Sequence, residues 1–160
     1  KNWRPMYASG GRRLQRSVYL DIHAVRPLTP ALLAKFPLLA AAWQQIGAGE
    51  LAANDILVGD AAAQVTNLGV YRVYLTDYLC HHPRVHQEMT RMVRQLQVED
   101  DGLPLEVYAF LLDTGWPIYE AIASSLFEHV YATLPQFGLR PYQKPLSVDI
   151  GDPLPQNTVE

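Results

Sequence analysis

Asp100-Asp101-Gly102-Leu103-Pro104-Leu105-Glu106-Val107-Tyr108-Ala109-Phe110-Leu111-Leu112 is the stretch whose pattern decides the fold. Leu103, Leu105, Val107, Ala109 and Leu111 recur at a period of two, with Glu106, Tyr108 and Phe110 opposite, the alternation of a β-strand. Both faces are largely apolar, so cover is expected on both, at least in part. Asp101-Gly102 supplies the positive φ angles of a tight turn, and residues 89–98 should return as the antiparallel neighbour of 103–112.

Working outward, the spacing predicts a helix from Trp116 to Thr133. Pro117 suits its first turn, Ile118, Ile122, Leu126, Val130 and Leu134 make a stripe, and Gly138 is placed for a left-handed cap. Residues 140–143 can return as a last strand. Upstream of the hairpin, Leu68, Tyr71, Leu75, Leu79 and His82 share one helical face, with Asn67 as the expected cap and Pro83 as the stop. Residues 17–25 alternate as a first strand, which Arg26-Pro27 ends. Between them, Thr29 caps a helix with Pro30 at its first position, and Leu32, Leu33, Phe36, Leu39, Ala40 and Trp43 follow at three- and four-residue spacing. Pro37 should kink or split that run, Gly47 and Gly49 stop it, and residues 54–64 read as a loop.

Without the segment between Pro27 and Thr66, the order is strand, helix, strand, strand, helix, strand. It predicts an α+β, ferredoxin-like antiparallel sheet with two helices on one face and a largely helical insertion, about residues 28–66, after the first strand. Right-handed crossovers would set the first strand between neighbours rather than at an edge.

A chain of 160 residues, 49% hydrophobic and 18% charged, is neither too short nor too polar to build a core, which excludes a disordered chain. Its net charge of −3 argues against a sequence-independent nucleic-acid binder. One cysteine, Cys80, excludes an internal disulfide framework and a cysteine-built zinc site. The longest apolar run, residues 31–46, is interrupted by Lys35, Pro37, Gln44 and Gln45, so no membrane span is expected. Lys1-Asn2-Trp3-Arg4-Pro5 does not read as a signal peptide; without an initiator Met, it reads as a cut inside a longer protein or a processed end. One soluble globular domain is the expectation.

Cys80-His81-His82, with His86 and Glu88 close behind, holds residues a transition metal favours, but Pro83 breaks the helix that would align His82 with His86. The residues fit a helix end better, with imidazoles at the negative dipole terminus. A metal-dependent enzyme around His81, His82 and His86 is thus the weakest of three readings. Ser124 and Ser125 lack a nucleophile-elbow pattern and read as close helix packing. Glu120, Glu128, Asp100 and Asp101 read as solvated surface. Ser9-Gly10-Gly11-Arg12-Arg13 offers backbone amides and two guanidinium groups to a phosphate, yet has no P-loop spacing and reads as a flexible connector. Tyr71, Tyr74 and Tyr78 lie at helical spacing and read as a half-buried face. The residues support no enzyme, and no catalytic, cofactor-binding or metal site is assigned.

Six further segments carry a resemblance. Lys1-Asn2-Trp3-Arg4 with residues 9–13, Asn67-Leu68-Gly69-Val70-Tyr71-Arg72, His82-Pro83-Arg84-Val85-His86-Gln87, Met92-Val93-Arg94-Gln95-Leu96, Gly102-Leu103-Pro104-Leu105-Glu106-Val107-Tyr108 and Leu134-Pro135-Gln136-Phe137-Gly138-Leu139-Arg140 occur in this order across nearly the whole chain. Together they resemble the carboxy-terminal cytoplasmic region of the small-conductance mechanosensitive channel family, in its miniconductance branch. The resemblance implies that residues 1–15 end a preceding β-domain and a connector. Residues 16–146 would form the α+β cytoplasmic domain, and 147–160 a tail. It implies a non-catalytic wall of a vestibule at the cytoplasmic side of the bacterial inner membrane. Copies of the chain would form a ring, a heptamer in the family, that passes ions and small solutes during osmotic stress. The 28–66 insertion departs from the shorter members of the family. The alternative from another class is a soluble ferredoxin-like regulatory module that binds a small ligand. Alternation in residues 146–150 suggests a short strand pairing between subunits.

Overall fold

The computed structural model describes residues 10–53, 56–57 and 65–144. Residues 1–9, most of 54–64 and the 146–150 alternation lie outside them, as does the 147–160 tail. The chain is an α+β unit built on a three-stranded antiparallel sheet. β1 (Arg12–Leu20) and β2 (Met92–Gln95) flank β3 (Leu103–Leu111), in the order β1-β3-β2. The helices are α1 (Pro30–Lys35), α2 (Pro37–Gly47), α3 (Asn67–Cys80) and α4 (Trp116–Thr133).

The hairpin forms as the alternation demands. β2 and β3 pair from Met92↔Tyr108 to Gln95↔Leu105, and Glu99 and Gly102 exchange both backbone hydrogen bonds around Asp100-Asp101. Gly102 holds φ 103°, and a Cβ there would stand 2.7 Å from the Leu20 carbonyl, so no other residue fits the turn. β2 is shorter than the expected 89–98. Pro104 gives Leu96 a carbonyl to bond but has no N–H to return, and the regular ladder stops. In β3 every residue from Leu103 to Val107 is buried, while Tyr108 and Phe110 are half-exposed, so both faces are covered in part.

β1 starts five residues earlier than the alternation of 17–25 suggests and ends at Leu20. Its early half reads as polar because arginine stems serve as its inner surface. Arg12 lies 4.2 Å from the Tyr119 ring centroid and Arg16 4.9 Å from that of Phe127, both on α4. The late half fails as a strand because Asp21 Oδ1 accepts the His23 N–H at 2.9 Å, turning Ile22–Ala24 into a 3-10 turn. A domain boundary at residue 15 therefore falls inside β1, and Arg12-Arg13 belong to the sheet rather than to a connector. β1 is also an edge strand, contrary to the crossover expectation. The expected strand at 140–143 is reduced to a Leu20↔Pro141 bridge, flanked by Asp21 N–H to Arg140 O (3.0 Å) and Tyr142 N–H to Tyr19 O (2.8 Å).

Thr29 caps α1 through Leu32 N–H, and Pro37 splits the run into α1 and α2 at Phe36, which the following proline holds extended. α3 is capped by Thr66, whose Oγ1 accepts Gly69 N–H at 3.1 Å; Asn67 is one residue further in and wholly buried. α4 keeps its expected bounds, but its buried face runs through Tyr119, Ile122, Ala123, Leu126, Phe127 and Val130, leaving Ile118 exposed. Ser124 and Ser125 face solvent rather than a packing partner. A 3-10 turn, Leu134–Phe137, closes on Gly138 at φ 73°.

α3 and α4 cover the inner sheet face, and their contact is sealed by Tyr71. Its hydroxyl donates to Val130 O (2.9 Å) and lies 2.8 Å from Thr133 Oγ1, and burial pushes its pKa well above the ordinary value. Asn67 locks the remaining junction. Its Oδ1 accepts from Arg26 and Leu68 N–H, and its Nδ2 donates to Ala24 O and Phe137 O, all within 2.9–3.0 Å.

Candidate functional site

The carboxy-terminal half of α3 divides two concavities. On one side, Arg72, Thr76 and Cys80 face Arg91, Met92, Val93 and Arg94 across a cleft of about 610 Å³, with Ala52 and Ile56 at its rim. Helical spacing of four sets Arg72, Thr76 and Cys80 in one row. Thr76 Oγ1 donates back to Arg72 O at 2.7 Å. Arg72 reaches across with Nε to Val93 O at 3.2 Å, and partial burial lowers its pKa. Arg94 Nε donates to Glu106 Oε1 at 2.7 Å, and Gln15 Nε2 donates to the other oxygen of this buried carboxylate at 3.2 Å. Arg91 donates through one terminal nitrogen to Gln87 O and Met89 O, while its Nε is buried with no acceptor.

On the other side, Tyr74, Asp77, Tyr78, His81, His82 and Pro83 line an open groove of about 400 Å³. His129 from α4 stacks on Tyr78 at 4.0 Å and 7°, and a hydrogen bond joins its Nε2 to Tyr74 Oη at 3.0 Å. His82 meets Tyr78 edge-on and accepts Arg84 N–H at Nδ1. Burial lowers both imidazole pKa values, helped at His82 by the Arg84 charge and at His129 by His82. Partial burial raises the Tyr74 and Tyr78 hydroxyls.

This arrangement parts the residues of the Cys80-His81-His82 run. Cys80 lines the arginine cleft, while His81 and His82 line the groove, where Asp77 Oδ1 lies 3.3 Å from His81. His86 is engaged by the Glu88 N–H at Nδ1. Among the described residues, no three His, Cys, Asp or Glu side chains converge as metal ligands. Arg12 and Arg13 lie on opposite faces of β1, Arg12 donating to Thr114 O, so they form no joint cradle. Glu120 lies 3.8 Å from Arg16 and Asp101 3.4 Å from Lys144, both as surface pairs. Tyr71, Tyr74 and Tyr78 are a helix face, as their spacing suggests. The arginine cleft was missed, since no spacing rule joins Arg72 on a helix with Arg91, just before β2, and Arg94 within it. Two guanidinium groups at i and i+3, flanking Met92-Val93, were the one sign.

No helix among the described residues is long and apolar enough to cross a membrane. No protein-family model matches the chain.

Proposed function

We propose that this chain is a non-catalytic, vestibule-forming segment of a tension-gated channel of the small-conductance mechanosensitive family. It would stand on the cytoplasmic side of the bacterial inner membrane and act in osmotic stress. What supports this reading is the work of the residues that carry the resemblance. Asn67 ties three segments together, Tyr71 seals α3 to α4, Gly102 and Gly138 hold left-handed turns, and Arg84 donates two hydrogen bonds to Asp113. These are scaffold roles, as a passive wall requires. In support, the isolated Leu20↔Pro141 bridge lies on the side of β1 where a ferredoxin-like sheet would carry its fourth strand, and α1 and α2 would be the insertion.

Assembly would use surface that one copy leaves open. Among the described residues, β1 is bridged on its outer side only at Leu20, and Tyr19, Tyr108 and Phe110 lie half-exposed on the face away from the helices. Copies meeting there head to tail close a ring rather than a twofold pair. The test is to reconstitute the full-length gene product in lipid vesicles and apply suction to patches. Stepwise conductance rising with tension, from a ring-shaped homo-oligomer, is expected; silence up to patch rupture, or a twofold dimer, overturns the reading. The runner-up, a regulatory module binding a small ligand, is favoured by the arginine cleft. An upstream sequence without an apolar membrane helix and a β-domain would turn the balance toward it.

A further inference from the structure

The geometry of the α3–β2 cleft points to a second property, independent of the channel reading: we propose that it binds a phosphate group through Arg72 and Arg91. Three guanidinium groups line this one cleft, and among the described residues none that line it is acidic. Glu106 neutralises Arg94, but among the described residues Arg72 and Arg91 have no carboxylate partner. Two positive charges thus face one concavity in a chain whose net charge is −3. Both are held in place. Arg72 is anchored by Nε on the Val93 carbonyl, and Arg91 by a terminal nitrogen on the Gln87 and Met89 carbonyls.

Arg91 Nε is buried without an acceptor and one terminal nitrogen bonds the Gln87 and Met89 carbonyls, so the chain itself leaves part of this guanidinium's donor capacity unfilled. A doubly charged phosphate matches two forked donors better than a single-charged carboxylate does. Partial burial of Arg72 strengthens the attraction and reduces screening by salt. The cleft exceeds the size of a bare phosphate. Its walls at Met92 and Val93 are apolar, so the phosphate would arrive on an organic body: a small phosphorylated metabolite or a phospholipid headgroup.

Cys80, the only cysteine, lines the same cleft and is half-buried, which makes it a reporter. The 160-residue chain is treated with iodoacetamide while inorganic phosphate replaces chloride at constant ionic strength. Phosphate is expected to slow Cys80 alkylation saturably, at least threefold, with half-effect in the millimolar range. The Arg72→Gln/Arg91→Gln double variant should lose that protection, and Arg16→Gln, on β1, should keep it. Should the double variant fail to fold, Arg91→Lys keeps the charge without the fork and should weaken protection several-fold. Unchanged alkylation at 50 mM phosphate, or protection equal in wild type and the arginine variants, overturns the proposal. A second arm names the source. Co-sedimentation with phosphatidylglycerol vesicles that depends on both arginines assigns a headgroup, whereas phosphate protection without vesicle binding assigns a free phosphorylated compound. Vesicle binding that survives the double substitution, with no phosphate protection, also overturns it.

Discussion

Asn67 and the Nε of Arg91 are both out of reach of water, and they differ in what they find there. Asn67 has four hydrogen-bonding capacities and fills all four with backbone from three separate segments. Arg91 Nε fills none. The first is the signature of a site whose only task is to hold a shape. The second is a donor that the fold leaves open, which costs stability wherever it stays unpaired.

The largest effect expected from this contrast is at Asn67. Asn67→Leu strands two backbone carbonyls and two N–H groups, and should cost about 3 kcal/mol or more, lowering the melting temperature by about 10 °C. A loss under about 1 kcal/mol in a circular dichroism melt would erase the difference between the two regions. Next comes Gly138→Val, beside the same junction. The left-handed backbone and a Cβ 3.0 Å from the Phe36 ring together should cost about 2 kcal/mol. Gly49→Ala, at φ 78° but in open space, should cost only about 1 kcal/mol, which separates backbone strain from the clash.

A smaller effect is expected from pH. His82 and His129 have lowered pKa values, so below their unfolded value near 6.5 the unfolded chain binds protons that the folded chain does not. Stability should be highest above pH 7 and fall between about pH 6.5 and 5, where Asp21 and Asp113, whose pKa values are also lowered, are still ionised in both states. His129→Gln should flatten that slope in melts taken from pH 7.5 to 5. Flat wild-type melts would show the groove to be no more confined than open surface. The smallest effect is at Arg91. Arg91→Met removes the orphan donor, and stability should change by less than about 0.5 kcal/mol in either direction. A loss comparable to that at Asn67 would make Arg91 a structural residue.

Much of the architecture was legible because it rests on local chemistry. The period-two run from Leu103 to Leu111, the Thr29-Pro30 start, the split at Pro37 and the left-handed Gly138 each need only a few neighbouring residues. What escaped depends on distant partners. Arg12 and Arg16 count as strand residues only once Tyr119 and Phe127 are beneath them. Asn67 looked like a cap because asparagine often is one, yet Thr66 took that place and freed the amide to bond Phe137, 70 positions away. The cleft was invisible for the same reason, since Arg72 and Arg94 meet only after α3 packs on β2.

The pairing of β1 with β3 also sets a schedule. Gln15 must wait for Glu106, 91 positions further on, before its strand has anything to pair with. At the usual pace of synthesis, β1 stays without its neighbour for roughly 5–20 s after leaving the ribosome. During that interval Arg12, Arg13 and Arg16 repel another nascent copy, so the charges that obscured the strand in the sequence also guard it from premature association.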